Sequence, residues 1–166
     1  MKPQNAIYRY SIQVTEMSID RLQHVNNREY LRWMEEAAIA HARECGMSIE
    51  ALEQKNRIWV VRQHWVEYLR SAFLGDVLTM YTWVESIHRY YSLRRYALKR
   101  ENDILMLGAT EWVYMDLMRM RPVVLTRSEA SLFSCVSKNS RLLRDLGIPR
   151  GVRFRPMGAL RGGRHA

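Results

Sequence analysis

The sequence predicts an α+β domain in which a curled antiparallel sheet wraps around one long central helix. Three observations carry that reading. A single long helical segment precedes four consecutive strand-like segments. That helix is apolar over more than a narrow stripe, so it must be enclosed on more than one side. Strands joined in succession by turns pair antiparallel, which leaves one face of the sheet free to grip a helix.

The 166 residues suit one domain with a real core and little material for a second. Hydrophobic residues at 48% and charged residues at 26% describe a globular chain rather than a disordered one. No apolar run approaches the roughly 20 residues that cross a bilayer, and the N-terminus lacks the features of a secretory signal. A cytoplasmic location is the expectation. Cys45 and Cys135 have neither metal-site spacing nor the number of a disulfide framework, so both are read as structural thiols. The net charge of +9 is uneven: from 141 onward seven arginines face Asp145 alone, leaving the rest of the chain only mildly basic. Five glycines share that stretch. A domain over 1–136 followed by a basic, flexible tail over 137–166 is therefore expected.

The elements follow in order. Ile7, Tyr8, Tyr10, Ile12 and Val14 alternate with polar residues, as a half-buried strand does. Asn26 stands three residues before Glu29, a spacing that lets each side chain satisfy backbone N–H groups at a helix start. A helix is predicted from Asn27 to Cys45, ended by Gly46, the residue type that most easily takes a left-handed conformation. A short helical stretch fits 49–55. Strands are predicted over 57–68, 76–88, 90–100 and 103–116, with Asn102 and Asp103 supplying a turn.

The segment from Asp20 to Asn27 holds a carboxylate, an imidazole and two amides immediately before a helix. There the first N–H groups have no intrahelical acceptor and the peptide dipoles favour negative charge, so the helix start can hold an oxyanion. A carboxylate beside it can attack an acyl carbonyl or deprotonate water. Loop and capping roles for Asp20 and Asn26 account for the same spacing, and from spacing alone both readings stand.

Residues 24–37 (HVNNREYLRWMEEA) resemble the H-V-N-N-x-x-Y-L-x-W/F-x-E-E-A signature of hotdog thioesterases of the 4-hydroxybenzoyl-CoA and long-chain acyl-CoA type, and of the related plant acyl-carrier thioesterases. Residues 65–76 (WVEYLRSAFLGD) resemble the family's Y-x-x-P-A-x-x-G-D segment, and 109–116 with Arg121-Pro122 its final strand and ending. The resemblance covers residues 6 to about 125. It implies a hotdog fold, hydrolysis of an acyl-CoA or acyl-carrier-protein thioester without a cofactor, and a homodimer or dimer of dimers with shared sites. It places Asp20 as base or nucleophile, His24 as orienting group and Asn27 at the oxyanion. Val25, Asn26, Tyr30, Arg62 and Tyr68 become substrate-contacting positions, with backbone N–H groups from Val25 to Asn27 facing the thioester oxygen. Ser18 departs from the family's Asp-x-Asp and Ser71 from its proline. A non-catalytic acyl-thioester binding domain is the alternative.

Other features read as structure. Glu35 and Glu36 lie well along the helix, with Glu36 a reserve candidate and a polar contact favoured. His41, His64 and His88 lack metal-ligand spacing, so no metal is assigned. The bases and aromatics over 87–96 fit period-2 strand packing better than nucleic-acid stacking, and no nucleic-acid partner is expected. Arg57, Arg62, Arg89, Arg94 and Arg95 are landing places for CoA phosphates. Met34, Met80, Met106 and Met115 read as core filling rather than as an acyl tunnel.

Overall fold

The computed structural model describes residues 6–149. Strand β1 (Tyr8–Gln13) leads through a 3-10 turn, Glu16–Ser18, and a tight loop into helix α1 (Asn27–Glu44), then α2 (Ile49–Gln54). Four long strands follow: β2 (Arg57–Tyr68), β3 (Val77–His88), β4 (Tyr91–Arg100) and β5 (Asp103–Asp116). They form one antiparallel sheet in the order β1-β3-β4-β5-β2, with the two-residue β6 (Arg121–Pro122) beside β5. This is the expected hotdog architecture: a curled antiparallel sheet with the long helix in its grip.

Local chemistry explains where α1 begins and ends. Asn26 caps it by accepting from Arg28 N–H at 3.0 Å. The reciprocal half of the expected capping box is absent, because Glu29 turns to Ser18 Oγ and Arg32 while Asn26 N–H donates to the Ser18 carbonyl. At the other end Gly46 takes φ +82°, letting Met47 N–H reach Ala42 O and Gly46 N–H reach Arg43 O. Those two bonds satisfy carbonyls the helix end would otherwise leave open.

Helix α1 packs Tyr30, Trp33, Met34, Ala37 and Ala38 against Leu78, Met80, Leu98 and Met106 of the sheet. A Cβ built on Gly108 would sit 3.0 Å from Met34 Cε, so a larger residue there would require the Met34 side chain to give by a few tenths of an ångström. Beyond the helix's last turn a second cluster joins Cys45, Met47 and Leu52 to Val84, Tyr114 and Phe133. Met34, Met80 and Met106 are core residues, as expected.

The outer face of the sheet is covered too. Trp83, Ala97 and Leu107 alternate with helix-facing residues and pack under Val136, Leu143 and Ile148. Packing thus continues past position 136, through helices α3 (Arg127–Ala130) and α4 (Arg141–Asp145). Of the basic, flexible tail expected over 137–166, residues 137–149 include Leu143 and Ile148 packed on the sheet, and 150–166 lie outside the described residues. Among the described residues, no helix is long and apolar enough to cross a membrane.

Candidate functional site

The loop before α1 is knotted by its own backbone. Asp20 N–H donates to His24 O at 2.9 Å and Gln23 N–H to Asp20 O at 3.1 Å, while Ile19 bridges antiparallel to Val25. Val25 N–H donates to Ala72 O at 2.9 Å, which ties the loop to the segment joining β2 and β3. Ser18, the departure from Asp-x-Asp, is buried here: its carbonyl takes Asn26 N–H and its hydroxyl donates to Glu29 at 3.2 Å. A serine hydroxyl can donate to that carboxylate where an ionised aspartate could not.

Between this loop and the 68–71 segment lies a cleft of about 360 Å³. Asp20, His24, Val25, Asn26, Asn27, Tyr30 and Tyr68 all line it. Asp20 is half-buried, with Oδ1 receiving Leu22 N–H at 2.8 Å and, more weakly, His24 N–H at 3.4 Å. Its Oδ2 meets no protein donor among the described residues, so one carboxylate oxygen is anchored and the other is open to the cleft. The His24 ring stands edge-on to Phe73 at 5.3 Å. Tyr30 and Tyr68 meet edge to face at 5.2 Å; Tyr30 Oη receives Ala72 N–H at 3.3 Å, and Tyr68 Oη donates to Asn27 O at 3.3 Å. Burial pushes both phenols above their ordinary pKa, so they remain neutral hydrogen-bonding groups.

Two expectations change. The N–H groups of Val25 and Asn26 are already spent on Ala72 O and Ser18 O, and therefore cannot face a substrate oxygen. Asn27 N–H is the amide of that trio left without a backbone acceptor among the described residues. Arg62 does not belong to the cleft: it lies on the opposite face of the sheet, 3.1 Å from Glu111 and over the ring of Tyr91. A bulge between Val61 and Gln63 shifts the register of β2 there, a feature that alternation in the sequence does not announce. Leu22, Leu69, Arg70 and Ser71 complete the lining; none was proposed as a site residue from sequence, Ser71 being noted there only as the departure from proline. For the last three the cue was available, since the 65–76 resemblance spans them.

The remaining candidates have partners elsewhere. Glu36 binds Arg32 at 2.6 Å and Tyr10 Oη at 3.0 Å, a structural polar contact. Glu35 accepts from His64, whose other nitrogen meets Thr110 Oγ1 at 2.8 Å. No three His, Cys, Asp or Glu side chains among the described residues converge on a metal position. Of the arginines proposed for phosphate, Arg57 and Arg95 pair with Asp116 and Glu85, and Arg89 sits in an exposed turn. Arg94 is corrected: only 4% exposed, its guanidinium lies inside the fold beside His41 and Thr82 rather than on the surface. It lines a second cavity, of about 420 Å³, between α1, α2 and β2 that shares no lining residue with the Asp20 cleft.

Comparison with known proteins bears on the chemistry. The profile of the "Acyl-ACP thioesterase N-terminal domain" family matches residues 5–130. No curated protein matches the chain by sequence. Among solved structures, the fold is similar to an acyl-ACP thioesterase from Bacteroides thetaiotaomicron, with TM-score 0.74 and 20% identity over 82% of this chain and 56% of that one. It is also similar to a DHNA-CoA thioesterase from Staphylococcus aureus, with TM-score 0.70 and 22% identity over 85% of this chain and 95% of the other. At those identities the structures speak for the fold, and the family match speaks for the reaction class. The chain belongs to the family of the acyl-ACP thioesterase N-terminal domain and is a hotdog-fold thioester hydrolase.

Proposed function

We propose that the chain hydrolyses an acyl thioester in the cleft before α1, with Asp20 as the reacting carboxylate and Asn27 N–H as the oxyanion donor. The observation that supports this is the pairing of an anchored carboxylate with an open helix-start amide on one cleft wall. As a base, Asp20 takes a proton from water, whose oxygen bonds to the acyl carbon; the tetrahedral oxyanion collapses, the C–S bond breaks, and the departing thiolate takes the proton from Asp20 to leave as the thiol. As a nucleophile, Oδ2 adds to the acyl carbon, the C–S bond breaks and the thiolate leaves to take up a proton, and water then opens the resulting mixed anhydride to release the acid and restore the Asp20 carboxylate. Both routes consume one water and yield one carboxylic acid and one thiol. The aligned dipoles of an 18-residue helix favour the oxyanion in each. His24 and the Tyr68 hydroxyl position the loop and the helix start.

The thioester is borne by CoA or by an acyl carrier protein, which present the same reacting bond. A homodimer formed through β2 fits this reading. Among the described residues strand β2 is a 12-residue edge of the sheet, with Tyr68 exposed on it and Leu69 exposed just after it, and an edge of that length is a ready template for a second copy.

The test is thiol release from a panel of acyl-CoA and acyl-carrier-protein substrates. Asp20→Asn keeps an acceptor for Leu22 N–H, so folding is retained while kcat falls by about 100-fold or more. Full activity in that variant ends the mechanism. Saturable substrate binding with no thiol release from the wild-type chain would instead establish a binding domain.

A further inference from the structure

The second cavity contains a charge without a counter-ion. Arg94 rises from the interior strand β4 into it, with its exposure at 4%. Its Nη1 donates to His41 Nδ1 at 2.9 Å and to Thr82 Oγ1 at 3.2 Å. Both partners are neutral: a histidine that accepts at Nδ1 carries its proton on Nε2, and Thr82 passes its own proton to Arg95 O. No carboxylate among the described residues forms an ion pair with Arg94. Glu35 and Glu53 line the same cavity but at its exposed side, and Glu35 is engaged with His64. Burial pulls the guanidinium below its ordinary pKa, opposed only by Tyr96 and Cys45.

A guanidinium keeps its charge inside proteins, and removing it from water without an anion is expensive. The walls around it are apolar, formed by Ile39, Met47, Leu52, Trp59, Trp112 and Phe133. The volume of about 420 Å³ lies within the range of small-molecule sites, roughly 300–1,000 Å³. We infer that this cavity binds an apolar molecule ending in a carboxylate, with the carboxylate on Arg94 and the hydrocarbon against Trp59, Leu52 and Met47. Two sources share that chemistry: a free carboxylic acid, or the far-end carboxylate of an acyl group. Nη2 and Nε make no hydrogen bond among the described residues and remain to receive it, while a bare alkyl end would leave them unsatisfied.

Binding is measured by calorimetry on the full chain, with decanoate and 1-decanol as probes. It is repeated in Asp20→Asn, so that failure of the hydrolytic reading leaves this result intact. Decanoate is expected to bind saturably and at least ten-fold more tightly than decanol in both proteins. Arg94→Met preserves the side-chain bulk and removes the charge; it should lose the preference for the acid while its Tm is unchanged or raised. Decanol binding as well as decanoate, undiminished preference in Arg94→Met, or no binding of decanoate overturns the proposal. The source is decided by comparing kcat/KM for decanoyl-CoA and its far-end carboxy analogue in the wild-type chain. A preference of ten-fold or more for the analogue, lost in Arg94→Met, assigns the site to an acyl carboxylate; equal rates assign it to free acid.

Discussion

At the scale of single residues, the loop before α1 shows how much a few backbone bonds can impose. Gln23 sits at φ 62°, a left-handed conformation that costs a non-glycine residue about 1–2 kcal/mol. The turn demands it, because Gln23 N–H must reach Asp20 O while Asp20 N–H reaches His24 O. Gln23→Gly removes that strain at the cost of a floppier unfolded chain, so a net stabilisation of about 0.5–1 kcal/mol is expected. Thermal unfolding of the two proteins checks it, and a lower Tm for the glycine variant would show that the turn is not strained. Ser18 makes the complementary point. Its burial against Glu29 is legible only in three dimensions, since a serine in place of an acid reads in sequence as a loss rather than as a structural donor.

At the scale of elements, α1 joins stability to chemistry through one side chain. Asn26 caps the helix through Arg28 N–H, and the position of Asn27 N–H depends on where the helix begins. Asn26→Ala should destabilise the fold by about 1 kcal/mol. If the helix start holds the oxyanion, thiol release should fall by about ten-fold or more under conditions where the variant is fully folded. Chemical denaturation and steady-state kinetics separate the two effects; lost stability with unchanged kcat would detach the cap from catalysis. The long elements were legible in the sequence because period-2 and period-3.6 patterns persist over many residues. The short ones were not. Helix α3 opens with a capping box, Thr126 to Glu129, which the sequence displays but which four residues are too few to make persuasive. Helix α4 carries one buried residue, Leu143, and no periodicity at all.

At the scale of the molecule, the edge of the sheet is the feature that single-chain packing leaves open. A homodimer through β2 predicts twice the 19.8 kDa chain mass in light scattering after size exclusion. Trp65→Lys places a solvated charge on that edge, where lysine discourages strand addition, and should shift the assembly toward monomer. If sites are shared between copies, activity should fall in step with the dimer fraction across a dilution series. A monomer with undiminished kcat would show that one chain holds a complete site.

The sequence by itself determined the fold class, the order of the long elements and the nearness of Asp20, His24 and Asn27 to one another, because those rest on local periodicity and on a motif contiguous along the chain. Tertiary structure decided which amides remained open, since Val25 and Asn26 lose theirs to acceptors at Ala72 and Ser18. It also decided the fates of two arginines on neighbouring stretches of one sheet. A bulge turned Arg62 outward to Glu111, while Arg94 was enclosed beneath α1 with neutral partners alone. Both are the same residue type on a strand; only the side of the sheet each one faces, which one inserted residue reverses, separates an arginine paired with a carboxylate from one with neutral partners.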